Sequence, residues 1–150
     1  MNVGSICTRK VITASPQLDV QAAAELMRGE HIGFLVVVPE EPRGPQPPLG
    51  VLTDRDIVVA VVAKRADPAL LRVGDVMSIQ PVVVGESDSI DLALRTMRRA
   101  GLRRLPVVNG RGEVVGVLSL DDLLEFVARE VESLSGAIRN GRQIEGVTRT

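Results

Sequence analysis

Gly50-Val51-Leu52-Thr53-Asp54-Arg55-Asp56 and Gly116-Val117-Leu118-Ser119-Leu120-Asp121-Asp122 are two versions of one phrase. Each starts on glycine, crosses a short apolar run to a hydroxyl residue, and reaches a carboxylate three residues later. An apolar segment follows both times. The pattern predicts a buried strand running straight into a helix at two equivalent places.

Working outward from the phrase exposes a repeat. A shift of 70 residues lays Val3-Gly4-Ser5-Ile6-Cys7-Thr8 on Val73-Gly74-Asp75-Val76-Met77-Ser78, and Val37-Val38 on Val107-Val108. Beyond that point the shift becomes 66, with Gly50 on Gly116 and Asp56 on Asp122. The difference lies in 39–48, a proline- and glycine-rich stretch that reads as an expanded surface loop. Within each copy, a short apolar turn leads to a strand near 11–13 or 82–84. Asp19 and Ser89 fit as N-caps of a helix carrying Val20, Ala23, Ala24 and Met27, or Ile90, Ala93, Leu94 and Met97, on one face. Two nearly continuous apolar strands follow, then a helix over 57–64 or from 123 onward. The order β-α-β-β-α, twice, predicts an α+β fold with repeats at 1–66 and 67–131. Residues 132–150 hold the helix end and a tail, frayed from Asn140. Neither unit of roughly 60 residues is comfortable alone, so sheet packing on sheet is expected to close the core.

Composition narrows the function classes. Nearly half of the 150 residues are hydrophobic, yet Phe34 and Phe126 are the only aromatics apart from His31. That argues against a base-stacking surface, and a formal charge of −1 against a polyanion partner such as nucleic acid. The lone Cys7 fits a reducing compartment, and no apolar run approaches the roughly 20 residues of a membrane span. A cytoplasmic protein without membrane contact is the expectation.

The two junctions carry the candidate chemistry. A strand that ends where a helix begins leaves backbone N–H groups unpaired, which with the helix dipole favours an anion. Thr53 and Ser119 offer hydroxyls to those donors or to a phosphate. Asp56 and Asp122 suit a vicinal diol such as ribose, since charge-assisted hydrogen bonds are the stronger kind. The same spacing also resembles a capping box, in which these residues serve only the helix start. Gly50 and Gly116 allow either close ligand approach or tight strand packing. Arg55, Arg103 and Arg104 are candidate phosphate partners or solvated surface. The copies differ here: Gly33-Phe34 stand where the second has Arg103-Arg104, and Asp121 replaces Arg55. The clefts are therefore expected to bind unequally, the second preferring a less charged ligand or needing Arg103 and Arg104 as an offset.

On these residues, with Val73-Gly74-Asp75-Val76-Met77 and Arg103-Arg104-Leu105-Pro106-Val107-Val108, the chain resembles a tandem cystathionine β-synthase (CBS) domain pair, or Bateman module, of the stand-alone bacterial type. The likeness runs over about 3–130. It implies two β-α-β-β-α units packed by pseudo-twofold symmetry, with two clefts that take AMP, ADP, ATP or S-adenosylmethionine. By position, Asp56 and Asp122 would hold ribose, with Thr53 and Ser119 near phosphate. Ile12, Thr13, Ala14, Val36 and Val37 would frame one adenine. Gln80, Pro81, Val82, Pro106 and Val107 would frame the other, with Arg55, Arg103 and Arg104 on phosphates. The resemblance also implies a homodimer, which suits the seam Leu124, Val127, Val131, Leu134 and Ile138; the same seam would equally cover the protein's own core.

The leading expectation is a non-catalytic, energy- or metabolite-sensing module that requires no cofactor and signals to a regulated protein by shape change. A ligand-free dimerisation scaffold, in which both junctions act only as caps, is the alternative. An enzyme is disfavoured. His31 is the sole histidine and its counterpart is Gly101, Cys7 matches Met77, and no metal-ligand cluster or nucleophile–base pair is apparent.

Overall fold

Asp19 and Ser89 start the two helices that the sequence assigns them. The Asp19 carboxylate accepts from the Ala22 N–H at 2.7 Å and the Ser89 hydroxyl from the Leu92 N–H at 3.1 Å. The computed structural model describes residues 1–40, 44 and 46–148, with side chains to residue 145. The first repeat runs from a 3-10 turn at Val3–Ser5 through β1 (Thr13–Ala14), α1 (Val20–Glu30), β2 (Phe34–Val37), β3 (Gly50–Thr53) and α2 (Asp54–Ile57). A π-helical turn, Val58–Val62, extends α2. The second contains α3 (Val73–Val76), β4 (Ser78–Ile79), β5 (Val84–Gly85), α4 (Ile90–Ala100), β6 (Arg104–Val108), β7 (Val114–Ser119) and α5 (Leu120–Thr148). Both α1 and α4 end in a left-handed residue, His31 (φ 56°) and Gly101 (φ 65°).

The architecture is the expected α+β pair, built on two sheets ordered β1-β2-β3-β4 and β5-β6-β7. β1 and β5 pair parallel with β2 and β6, and the remaining neighbours are antiparallel. The first strand of each repeat sits later than its apolar residues suggest. Only Thr13–Ala14 and Val84–Gly85 reach the ladder, while Val82 and Val83 stay exposed.

One sheet packing on the other does not account for the core. Two separate apolar clusters form, and each is completed by the other repeat's leading segment. Val3 joins Val84, Ala93, Met97, Leu105, Val107 and Leu118, whereas Val73 joins Ala23, Met27, Leu35 and Leu52. The backbone bonds that hold these segments are twins. Val3 and Gly4 N–H donate to Asp88 and Glu86 carbonyls at 2.9 and 2.8 Å, and Val73 and Gly74 to Leu18 and Pro16 at 2.8 and 2.9 Å. The chain then crosses the last strand of the opposite repeat, Thr8 beside Val117 and Ser78 beside Val51. Gly50 and Gly116 lie under those crossings. A Cβ on Gly50 would sit 2.6 Å from the Ser78 carbonyl oxygen, and one on Gly116 2.8 Å from the Cys7 sulfur. Of the two uses open to these glycines, the structure assigns strand packing.

The tail is a correction. Instead of fraying at Asn140, α5 stays helical to Thr148. No proline interrupts it, and Arg139, Arg142, Gln143 and Glu145 are helix formers that offset Gly136 and Gly141. In the expanded loop 39–48, residues 41–43 and 45 lie outside the described residues. The Gln46 carbonyl accepts from the Val114 N–H at 2.9 Å, so the loop reaches the second repeat.

Candidate functional site

Both hydroxyl–carboxylate pairs form complete capping boxes. The Thr53 hydroxyl accepts from the Asp56 N–H at 3.1 Å, and the Asp56 carboxylate accepts from the Thr53 N–H at 2.8 Å. At the second junction the Asp122 N–H donates to the Ser119 hydroxyl at 3.1 Å. Asp122 Oδ2 takes bonds from the Ser119 N–H and hydroxyl, both at 2.7 Å. Aspartate is a methylene shorter than the usual glutamate of this motif, and it still reaches. In each box one carboxylate oxygen carries the cap. The other oxygen of Asp122 has only a long contact, 3.4 Å from the Thr8 hydroxyl.

That second oxygen matters because Asp122 lines a cleft of about 230 Å³. Ser119, Val117 and Arg104 come from the second repeat, and Thr8, Lys10, Ile12 and 31–34 from the first. The lining combines apolar side chains (Ile12, Ile32, Phe34) with two hydroxyls, a carboxylate and two cations. Arg104 arrives because it pairs with Ser119 across β6 and β7. Lys10 is held by Glu30 at 2.8 Å. Such an apolar lining with a few polar groups is the general form of a small-molecule site.

Of the expected site residues, Ile12, Ser119, Asp122 and Arg104 meet in this cleft. Thr13 and Ala14 instead line a larger cavity of about 470 Å³, with Arg9, Val38 and Val115, which holds neither hydroxyl–carboxylate pair. Val82 lines a third, open cavity with Thr96 and Arg99. The side chains of Val36, Val37, Pro106 and Val107 are fully buried in the strands and line none of the three cavities. Thr53, Arg55 and Asp56 line none of these three cavities, nor do Gln80, Pro81 and Arg103. Small Gly33 and flat Phe34 border the second junction's cleft, and their counterparts in the other repeat are Arg103 and Arg104. Asp121 is exposed and does not line the cleft, whereas Lys10, Arg104 and Asp122 do.

Thr8, Lys10, Ile32, Gly33, Phe34 and Val117 are cleft residues that sequence reasoning missed. The signal for Thr8 was present, because the shift of 70 lays one hydroxyl on another at Ser78. Beside the cleft, burial pushes the Cys7 thiol above its ordinary pKa; Arg9 opposes the shift and Asp122 adds to it. Among the described residues no group of His, Cys, Asp and Glu could hold a metal ion, and no helix is long and apolar enough to cross a membrane.

Comparison with known proteins places these features. The CBS domain family model matches residues 3–63 and 73–129. An uncharacterised protein of Methanopyrus kandleri is 36% identical over 126 residues; the match covers 83% of this chain but only 62% of that protein. A CBS domain-containing protein of Bacillus subtilis, YhcV, is 34% identical over 122 residues, covering 81% and 82% of the two chains. Among solved structures, a hexameric CBS-CP12 protein from bloom-forming cyanobacteria aligns with a TM-score of 0.72 at 29% identity, covering 93% of this chain and 81% of that one. The CBS domain pair of protein MJ0100, solved with 5′-methylthioadenosine and S-adenosyl-L-methionine, aligns with a TM-score of 0.73 over 85% and 99% of the chains; at 22% identity it speaks for the fold alone.

Proposed function

The chain belongs to the CBS domain family, and from that premise we propose that it is a non-catalytic regulatory module binding an adenosine-containing ligand in the Asp122 cleft. The observation that carries this reading is the cleft's shared construction, with the capped carboxylate from one repeat and the apolar side chains Ile12, Ile32 and Phe34 from the other. The second oxygen of Asp122, which holds only the long Thr8 contact, accepts from the ribose diol. Ile12, Ile32 and Phe34 take the adenine face, and Thr8, Lys10 and Arg104 receive the phosphate side. The cleft, of about 230 Å³, is open to solvent, so it can hold the nucleoside and leave phosphates or a sulfonium chain outside. AMP, ADP and ATP are the candidates, with S-adenosylmethionine beside them. The MJ0100 pair, which shares the fold, was solved with ligands of this class. Because the ligand bridges both repeats, it favours one setting of the pair over others, and a regulated protein reads that shift. The module acts in the cytoplasm, needs no cofactor, and works as a homodimer.

Calorimetric titration with AMP, ADP, ATP and S-adenosylmethionine tests the reading. One ligand per chain is expected, with a rise in melting temperature. Asp122→Asn keeps an acceptor for the cap but removes the charge, and weakens binding by about 10- to 150-fold, or ~1.5–3 kcal/mol. Asp56→Asn leaves that affinity unchanged. The scaffold reading also has an observation in its favour, since both carboxylates already serve as caps. Absence of binding by all four compounds leaves the scaffold standing.

A further inference from the structure

Leu123 is the last buried residue of the chain whose side chain is described, yet α5 runs on for 25 more residues, from Leu124 to Thr148. Along this stretch Leu124, Val127, Val131, Leu134 and Ile138 are each at least half exposed, at 3-4-3-4 spacing on one face. A helix draws most of its stability from packing such a face, and this one is left uncovered by the described residues. Charge is unevenly spread along it. Asp121, Asp122, Glu125, Glu130 and Glu132 crowd the first half against Arg129, whereas Arg139 and Arg142 stand in the second half with Glu145.

We propose that α5 pairs antiparallel with α5 of a second copy of this chain. The proposal rests on the self-association reading above and fixes its geometry. Antiparallel alignment sets Val131 against the second copy's Leu134 and Val127 against its Ile138, so that every seam residue except the outermost, Leu124, meets an apolar one. Leu124 falls opposite Gly141, where the absent side chain leaves room. The flanking positions then place Arg142 beside Asp121, twice per dimer, and set small Ala128 against Ser135. A parallel pair would lay the acidic halves together and would align no opposite charges beside the seam, because Glu130 would meet Ser135 and Arg142 would meet Ala137. Charge complementarity thus selects both the occupant and its direction.

Sedimentation equilibrium of Asp121→Arg, Arg142→Asp and the double reversal tests the arrangement. Each single reversal is expected to raise the dimer dissociation constant about fivefold to tenfold, with two pairs affected, and the double to restore it to within about twofold. Arg142 lies beyond the last buried residue, so its variant folds whatever Asp121→Arg does. Dimers indifferent to Arg142→Asp, or unrescued by the double variant, overturn the antiparallel pair and leave self-association in place. A wild-type chain that stays monomeric throughout overturns both.

Discussion

A methyl group added at Gly116 meets the Cys7 sulfur at 2.8 Å and the Thr8 carbonyl oxygen at 3.0 Å, and the second of these is backbone in a strand crossing. Gly116→Ala should therefore lower stability by about 1–3 kcal/mol in chemical denaturation. Gly136 is the control: nothing lies within 4 Å of its added Cβ, and it sits inside α5, so Gly136→Ala should stabilise by ~0.5–1 kcal/mol. Cys7 adds a pH test. Burial raises its pKa, so the thiolate is disfavoured by the fold. Its contribution is complete below the ordinary thiol value of about 8.5 and is lost as pH rises through the higher folded value. Alkylation by iodoacetamide at pH 8 should accordingly be slower in the folded protein than in urea. The sequence marks Gly116, Ser119 and Asp122 by repetition, but it offers two uses for each. Only the coordinates separate them, because a capping carboxylate and a ligand-facing one differ by which oxygen is occupied. Thr8 escaped notice since its role depends on a crossing more than 100 residues away in the chain, at Val117.

At the scale of elements, periodicity located α1 and α4 with their caps, since Asp19 and Ser89 act within one turn of themselves. It misplaced what tertiary contact decides. The first strands slide to Thr13 and Val84, where the ladder partner lies, and the helix after Thr53 turns π at Val58–Val62. In α5 the glycines from Asn140 onward predict fraying, and Arg142, Gln143 and Glu145, all helix formers, outweigh them. That helix yields a further expectation. Among the described side chains none beyond 132 is buried, so a chain ending at residue 132 should melt within about 3 °C of the full one at concentrations where both are monomeric. It should also be monomeric, as should Val131→Glu, which places a charge in the middle of the seam. A truncated chain that remains dimeric in sedimentation would move the contact to another face.

At the scale of the molecule, the two repeats do not simply lie side by side; they exchange their leading segments. Self-alignment revealed the duplication, and a cut at residue 66 or 67 divides it neatly, but physical closure ignores that cut. Val3 belongs to the core of the second repeat and Val73 to that of the first, each pinned by the same pair of backbone bonds. A fragment ending at residue 66 therefore keeps Leu35, Leu52 and Met27 but lacks Val73, and the remainder lacks Val3. Units of this size have little margin, and an open core edge costs each of them several buried contacts. Fragments 1–66 and 67–150 are expected to give poorly dispersed amide spectra when separate. Mixed at equal concentration, they should recover the dispersion of the intact chain, because each carries the segment the other needs. A well-dispersed spectrum from either fragment alone would mean that the exchanged segments decorate finished cores, and the cleft at Asp122 would then join two units that fold independently.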